Sequence, residues 1–268
     1  MTYPNRLLEV IDKGQARKLH RYPLLFVHGA WHAGWCWNEH FLDFFASRGF
    51  RALALSLRGH GSSPLEKPLH TCSISDYVTD VASIAENLPA PPVLVGHSMG
   101  GFLVQKYLET HHLPAAVLIA SAPPRGQLHS LLRSIRQHPY RCTRFALTGN
   151  PAHLYGSTAG ARELLFGGKA PDRLVEAVTT RLQPESARAM FFDMVATNLV
   201  DTSKITTPIL VIGGQEDRVY ATSDVCRTAK AYDTEPVLLA EMGHELMLEP
   251  AWATVANTMT SWLGKQRL

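Results

Sequence analysis

Six short apolar runs, each too short for a helix and closed by glycine, serine or another small residue, constrain this chain more than any other feature. They are Leu24-Leu25-Phe26-Val27, Ala52-Leu53-Ala54-Leu55, Pro92-Val93-Leu94-Val95, Ala116-Val117-Leu118-Ile119, Ile209-Leu210-Val211-Ile212 and Pro236-Val237-Leu238-Leu239. A strand with one face in water alternates apolar with polar residues, so runs without alternation predict strands buried on both faces, as in a parallel sheet. Between the runs, helical spacing marks stretches at about Asn38 to Ser47, Ser73 to Leu88, Met99 to His111, Ser223 to Tyr232 and Trp252 to Leu263. Strands alternating with helices predict an α/β fold, a doubly wound, mostly parallel sheet.

The alternation stops once, between about Pro123 and Thr207, where helical pieces are separated by Pro139, Asn150-Pro151, Gly167-Gly168 and Pro184. Such a length without a strand is too long for a simple loop. The expected organisation is therefore a core of residues 1–122 and 208–268 with an inserted, mostly helical lid over 123–207. Open α/β sheets bind ligands at the carboxyl ends of their strands, where such a lid would sit.

Composition narrows the function classes. With 46% hydrophobic and 18% charged residues, the 268-residue chain is too apolar to be disordered. The stretch from Met1 to Leu25 mixes Arg6, Glu9, Asp12, Lys13, Arg17 and Lys18 with short apolar runs and shows no secretory core. No window approaches the roughly 18 apolar residues of a membrane span. A soluble, cytoplasmic protein is expected. Cys36, Cys72, Cys142 and Cys226 form no C-x-x-C pair, which argues for reduced structural thiols over a zinc or redox site. A net charge of +3 gives no basis for nucleic-acid binding. No dinucleotide fingerprint or P-loop is present, so no cofactor is implied.

The strongest motif is Gly96-His97-Ser98-Met99-Gly100, directly after an apolar run and directly before a helical pattern. This is G-x-S-x-G in the strand–turn–helix setting that exposes a nucleophilic serine. A serine hydroxyl needs a base within reach and a group to orient that base. Ile209 to Ile212 runs into Gly213-Gly214-Gln215-Glu216-Asp217, a turn ending on a carboxylate. Asp217 is the expected orienter, with Glu216 as the alternative. Pro236 to Leu239 runs similarly into Ala240-Glu241-Met242-Gly243-His244, and of 13 histidines only His244 follows the last core strand, which makes it the expected general base. Backbone donors for a developing oxyanion are expected from Met99, after the nucleophile, and from Ala30 in the loop His28-Gly29-Ala30-Trp31. His28 itself is expected to tie that loop together.

With His28-Gly29, Arg58-Gly59-His60-Gly61-Ser62, the Ser98 turn, Asp217 and His244 in this order, the chain resembles the α/β-hydrolase fold superfamily over nearly its whole length outside the lid. Locally, His28-Gly29-Ala30-Trp31-His32-Ala33-Gly34-Trp35-Cys36-Trp37 is similar to plant-type methyl esterases and hydroxynitrile lyases. Arg58-Gly59-His60-Gly61 instead resembles esterase and lactonase-like hydrolases. The lyases carry Lys after the catalytic His and Thr at the Gly of the His-Gly pair, and here these positions are Glu245 and Gly29. Cofactor-free dioxygenases of similar fold place the acid one strand earlier, where Ile119-Ala120-Ser121-Ala122 has no carboxylate.

The expected activity is that of a carboxylic ester hydrolase, esterase or lactonase-like, acting on a small-molecule acyl substrate through Ser98, Asp217 and His244. The alternatives are a ligand-binding receptor with little turnover and a dioxygenase or lyase on the same fold. A homodimer is left open. In the lid, Leu128, Leu131, Leu132 and Ile135 recur at helical spacing and predict one face packed downward. Phe191, Phe192, Met194 and Val195 form a second apolar cluster broken by Asp193, and both groups would pack the lid and wall an acyl or aryl pocket. Between Glu109 and Glu163 there is no acidic residue, while Arg125, Arg133, Arg136, Arg141, Arg144 and Arg162 all occur. A solvated face is the simpler reading, and a site for an anionic substrate portion the sharper one.

Overall fold

The computed structural model describes residues 8–16, 20–148, 150 and 152–268. Arg6, Arg17 and Lys18 of the opening stretch, and Pro151 of the breaker Asn150-Pro151, lie outside them. The strands are β1 (Val10–Lys13), β2 (Leu24–Val27), β3 (Ala52–Leu55), β4 (Val93–His97), β5 (Ala116–Ile119), β6 (Ile209–Gly214) and β7 (Pro236–Leu239). They form one sheet in the order β1-β3-β2-β4-β5-β6-β7, parallel except for β1, which runs antiparallel on β3.

Each of the six apolar runs is a strand, and four keep the residues read from the sequence. β2 to β5 are buried throughout, which is why their sequences do not alternate. β1 was not anticipated. Its residues Val10-Ile11-Asp12-Lys13 end on two charges, as suits a partly exposed edge strand.

The helices are α1 (Trp35–Asn38), α2 (Phe41–Ser47), α3 (Ile74–Ala85), α4 (Met99–Leu108), α5 (Leu128–Gln137), α6 (Pro139–Thr148), α7 (Ala152–Tyr155), α8 (Thr158–Leu165), α9 (Asp172–Thr179), α10 (Thr222–Ala231) and α11 (Trp252–Lys265). The single helix expected at 38–47 is two, with α1 starting at Trp35. α5 to α9, a π-helical stretch Ala189–Thr197 and a 3-10 turn Thr202–Lys204 all fall between β5 and β6, where the alternation stops.

Sheet order positions the site. The chain leaves β2 to build β3 on one side and β4 on the other, so the loops after β2 and β4 face each other across a topological switch point, with Val27 paired to Gly96. The Arg58 motif braces this end, because its guanidinium donates to the buried Asp80 carboxylate at 2.8 and 2.6 Å. Removing one partner of such a buried pair costs about 3–5 kcal/mol.

Two expectations for the insertion are corrected. Leu128, Leu132 and Ile135 are 41, 55 and 42% exposed, and Leu131 and Ile135 line a cavity, so the apolar face of α5 borders open space and does not pack onto the core. Ser130 and Arg133 hold the helix instead, both donating to the Val219 carbonyl after β6, at 2.5 and 2.7 Å. Asp193, read as a break in an apolar cluster, is buried and accepts from the Ile74 N–H at the start of α3 at 2.9 Å, while Phe192 is exposed. A carboxylate at a helix N-terminus satisfies a free N–H and meets the positive end of the helix dipole.

Candidate active site

Ser98 caps α4 with φ 52° and ψ −119°, a left-handed backbone for a residue with a side chain. Such strain persists only where surroundings over-determine it. Here Ser98 N–H donates to Ile119 at 3.1 Å, and its carbonyl accepts from Gly101, Phe102 and Ala122. Gly100 is required because a Cβ there would run into the carbonyls of Val27 and His28. The turn after β4 and the loop after β2 are thus in backbone contact. A Cβ on Gly29 would lie 2.8 Å from the Ser98 Cβ, which leaves no room for the threonine found in the lyases.

His244 and Asp217 arrive from the ends of β7 and β6. His244 Nδ1–H donates to Asp217 Oδ2 at 2.9 Å, and both residues are buried. Asp217 Oδ1 accepts from the N–H groups of Val219 and Tyr220 at 2.7 and 3.0 Å, which fixes the carboxylate. Burial pushes the His244 pKa down, but the Asp217 charge and hydrogen bond, aided by Glu245 and Glu249, outweigh it and raise the pKa above the ordinary histidine value. Glu216, the alternative acid, instead accepts from Gly168 N–H of the insertion at 2.7 Å.

The loop after β2 is held by the histidine expected to tie it. His28 Nε2 accepts from Leu57 N–H at 3.0 Å, and its Nδ1–H donates to Gly29 O at 2.8 Å. These partners fix the tautomer. Because the peptide is trans, holding the Gly29 carbonyl aims the Ala30 N–H the opposite way.

Sequence reading missed several residues. Tyr220 is buried, its hydroxyl lies beside that of Ser98 and donates to Gln127 Oε1 at 3.1 Å, and its ring meets His244 edge-on. Its one signal was a place three residues after Asp217. His97 is driven down to a pKa of about 3 by burial, and its Nε2–H donates to the His244 carbonyl at 2.9 Å. From the insertion, the Leu165 carbonyl accepts from the N–H groups of both His244 and Glu245.

A cavity of about 330 Å³ lies beneath the insertion, walled by Trp31, Leu131, Phe145, Phe191 and Val219. Ser98 does not line it. Gln127 does, and it accepts from the Tyr220 hydroxyl that neighbours Ser98. Arg141 also lines this cavity, while Arg162 pairs with Asp172 and Arg133 approaches Asp224 at 3.9 Å. Among the described residues no cluster of His, Cys, Asp and Glu could hold a metal ion, and no helix is long and apolar enough to cross a membrane.

The alpha/beta hydrolase family model matches residues 24–258 of this chain. A non-heme haloperoxidase from Rhodococcus erythropolis is 27% identical over 219 residues, covering 77% of this chain and 79% of the relative. Methylesterase 18 of Arabidopsis thaliana is 26% identical over 231 residues, covering 80% and 81%. Among solved structures, a thermophilic esterase from Thermogutta terrifontis superposes with a TM-score of 0.76 at 19% identity, covering 97% of this chain and 94% of that one.

Proposed function

The chain belongs to the alpha/beta hydrolase family, and from that premise we propose that it hydrolyses a carboxylic ester through an acyl-enzyme on Ser98. The observation that carries this reading is the buried Asp217–His244 hydrogen bond at 2.9 Å, with the His244 ring against Tyr220, whose hydroxyl neighbours a serine held at positive φ. Relatives named as an esterase/perhydrolase, a methylesterase and a monoacylglycerol lipase support it.

Ser98 Oγ attacks the ester carbonyl carbon and its proton passes to His244 Nε2, while Asp217 holds the tautomer and stabilises the imidazolium. The oxyanion is met by the N–H groups of Ala30 and Met99, donors fixed before the reaction starts. The tetrahedral intermediate collapses, and His244 returns the proton to the departing alcohol. Water then gives its proton to His244 and attacks the acyl-enzyme, releasing the carboxylic acid and restoring Ser98. The cavity takes the apolar part of the acyl or aryl group, since about 330 Å³ sits at the small end of ligand sites. The helical insertion acts as the lid.

Ser98→Ala, His244→Ala and the double variant are to be compared on short-chain p-nitrophenyl esters, with and without oxygen. Each single change should lower kcat at least ~10³-fold, and the double should be scarcely worse, because both remove one mechanism. A fluorophosphonate should label wild type at Ser98 alone. Substantial turnover by Ser98→Ala, or a rate that follows dissolved oxygen, would overturn the reading.

A further inference from the structure

Behind Ser98 lies a second set of buried ionisable groups that acyl transfer does not use. His32, from the loop after β2, and Glu245, next to His244, have side chains 1% exposed and face each other with Nε2 and Oε2 3.3 Å apart. The other nitrogen of His32, Nδ1, lies 2.9 Å from the carbonyl oxygen of Ala30. Each ring nitrogen of His32 thus faces an oxygen that accepts, the Ala30 carbonyl at Nδ1 and the Glu245 carboxylate at Nε2. Burial alone would push the Glu245 carboxyl up, but His32, with His97 and His244 nearby, outweighs it and holds the carboxyl at about 2. Glu245 is therefore a buried anion.

Stability is a poor reason to keep such a pair, because replacing a buried ion pair with apolar groups is often neutral or stabilising. The backbone it grips supplies a better one. Trp31, directly after Ala30, sits at φ 69°, a costly conformation for a bulky side chain. Flipping the Ala30–Trp31 peptide would return Trp31 to negative φ, and the bond from His32 to Ala30 O opposes that flip. With His28 holding the preceding peptide through Gly29 O, the carbonyls on both sides of the Ala30 Cα are pinned by histidines.

We propose that His32 and Glu245 form a positioning unit that clamps the Ala30 carbonyl, so that the Ala30 Cα stays in place behind the N–H that His28 aims at the oxyanion, and ties this loop to the segment carrying His244. The unit rests on the acyl-transfer reading of Ser98 and extends it to residues that touch no substrate. It also fixes Trp31, which walls the cavity, so catalytic geometry and pocket shape share one anchor.

The test uses His32→Gln, Glu245→Gln and the double variant His32→Asn with Glu245→Gln, all assayed on the ester that wild type turns over best. Each single change should lower kcat about 10- to 100-fold with KM nearly unchanged, less than the ~10²–10³-fold loss from deleting an oxyanion donor. The double variant places an amide N–H where Nδ1 was and removes the buried charge, so it should recover most of the lost kcat. Glu245→Leu should keep its thermal midpoint while kcat falls, which a purely structural role would not produce. Ser98→Ala is measured alongside. If it is inactive while both single variants stay within twofold of wild type, or if the kcat losses simply follow the thermal midpoints, the clamp is overturned and the hydrolase reading stands. Turnover by Ser98→Ala would remove the reading beneath it.

Discussion

The strand ends and the helical insertion hold side chains in opposite ways. At the strand ends, ionisable groups are buried and face one another: Asp217 with His244, Arg58 with Asp80, His32 with Glu245. In the insertion, large apolar groups such as Tyr140, Leu147 and Phe192 stand exposed, and polar bonds do much of the anchoring. The two regions meet where Glu249 Oε1 accepts from Gly243 and Gly167, where Leu165 O accepts from His244, and where Glu185 of the insertion accepts from the Tyr77 hydroxyl and faces His60 at 3.2 Å. Under the proposed function, changes at the strand ends should cost rate on every substrate. Changes in the insertion should alter which substrates are accepted.

The comparison breaks most visibly at Asp217. Asp217→Asn should lower kcat by about 10³- to 10⁴-fold. The neutral imidazole is the active base, so wild-type kcat/KM should rise with pH through a midpoint above the ordinary histidine value of about 6.5. Without the carboxylate, burial remains as the main influence, and the residual activity should have its midpoint below 6.5. A pH profile of kcat/KM checks both, and an unmoved midpoint would assign the acid elsewhere. A smaller effect is expected at the cavity wall. Leu131→Trp fills space without touching the strand ends, so the ratio of octanoyl to acetyl ester kcat/KM should fall about tenfold or more while acetyl turnover persists. Equal losses on both esters would erase the distinction between the regions.

The smallest effect concerns the seam. Burial holds the Glu249 carboxyl up at about 7. A carboxyl whose folded pKa lies above its unfolded value of about 4.3 favours folding at low pH, and that contribution is lost as pH rises towards 7. Glu249→Gln keeps an acceptor for Gly167 and Gly243 but cannot ionise. Its thermal midpoint should match wild type near pH 4 and exceed it by a few degrees at pH 8. A midpoint that falls below wild type at pH 8 would mean that the ionised carboxylate holds the seam.

The sequence by itself determined the parallel core, because a strand buried on both faces needs an uninterrupted apolar run, and such runs can be read one at a time. It also placed Ser98, Asp217 and His244 at the ends of their strands, since each follows such a run through a glycine-bearing turn. Glu216 and Asp217 are neighbours that only the folded loop separates, one turned to Gly168 and the other to His244. Tyr220, His32, Glu245 and the Leu165 carbonyl take their roles from partners between 24 and 213 residues away or from a backbone direction, neither of which leaves a local pattern. The face of α5 was misread for the same reason. Helical spacing says which side of a helix is apolar, but whether that side meets a packed core or an open cavity depends on the loop after β6 that Ser130 and Arg133 grip.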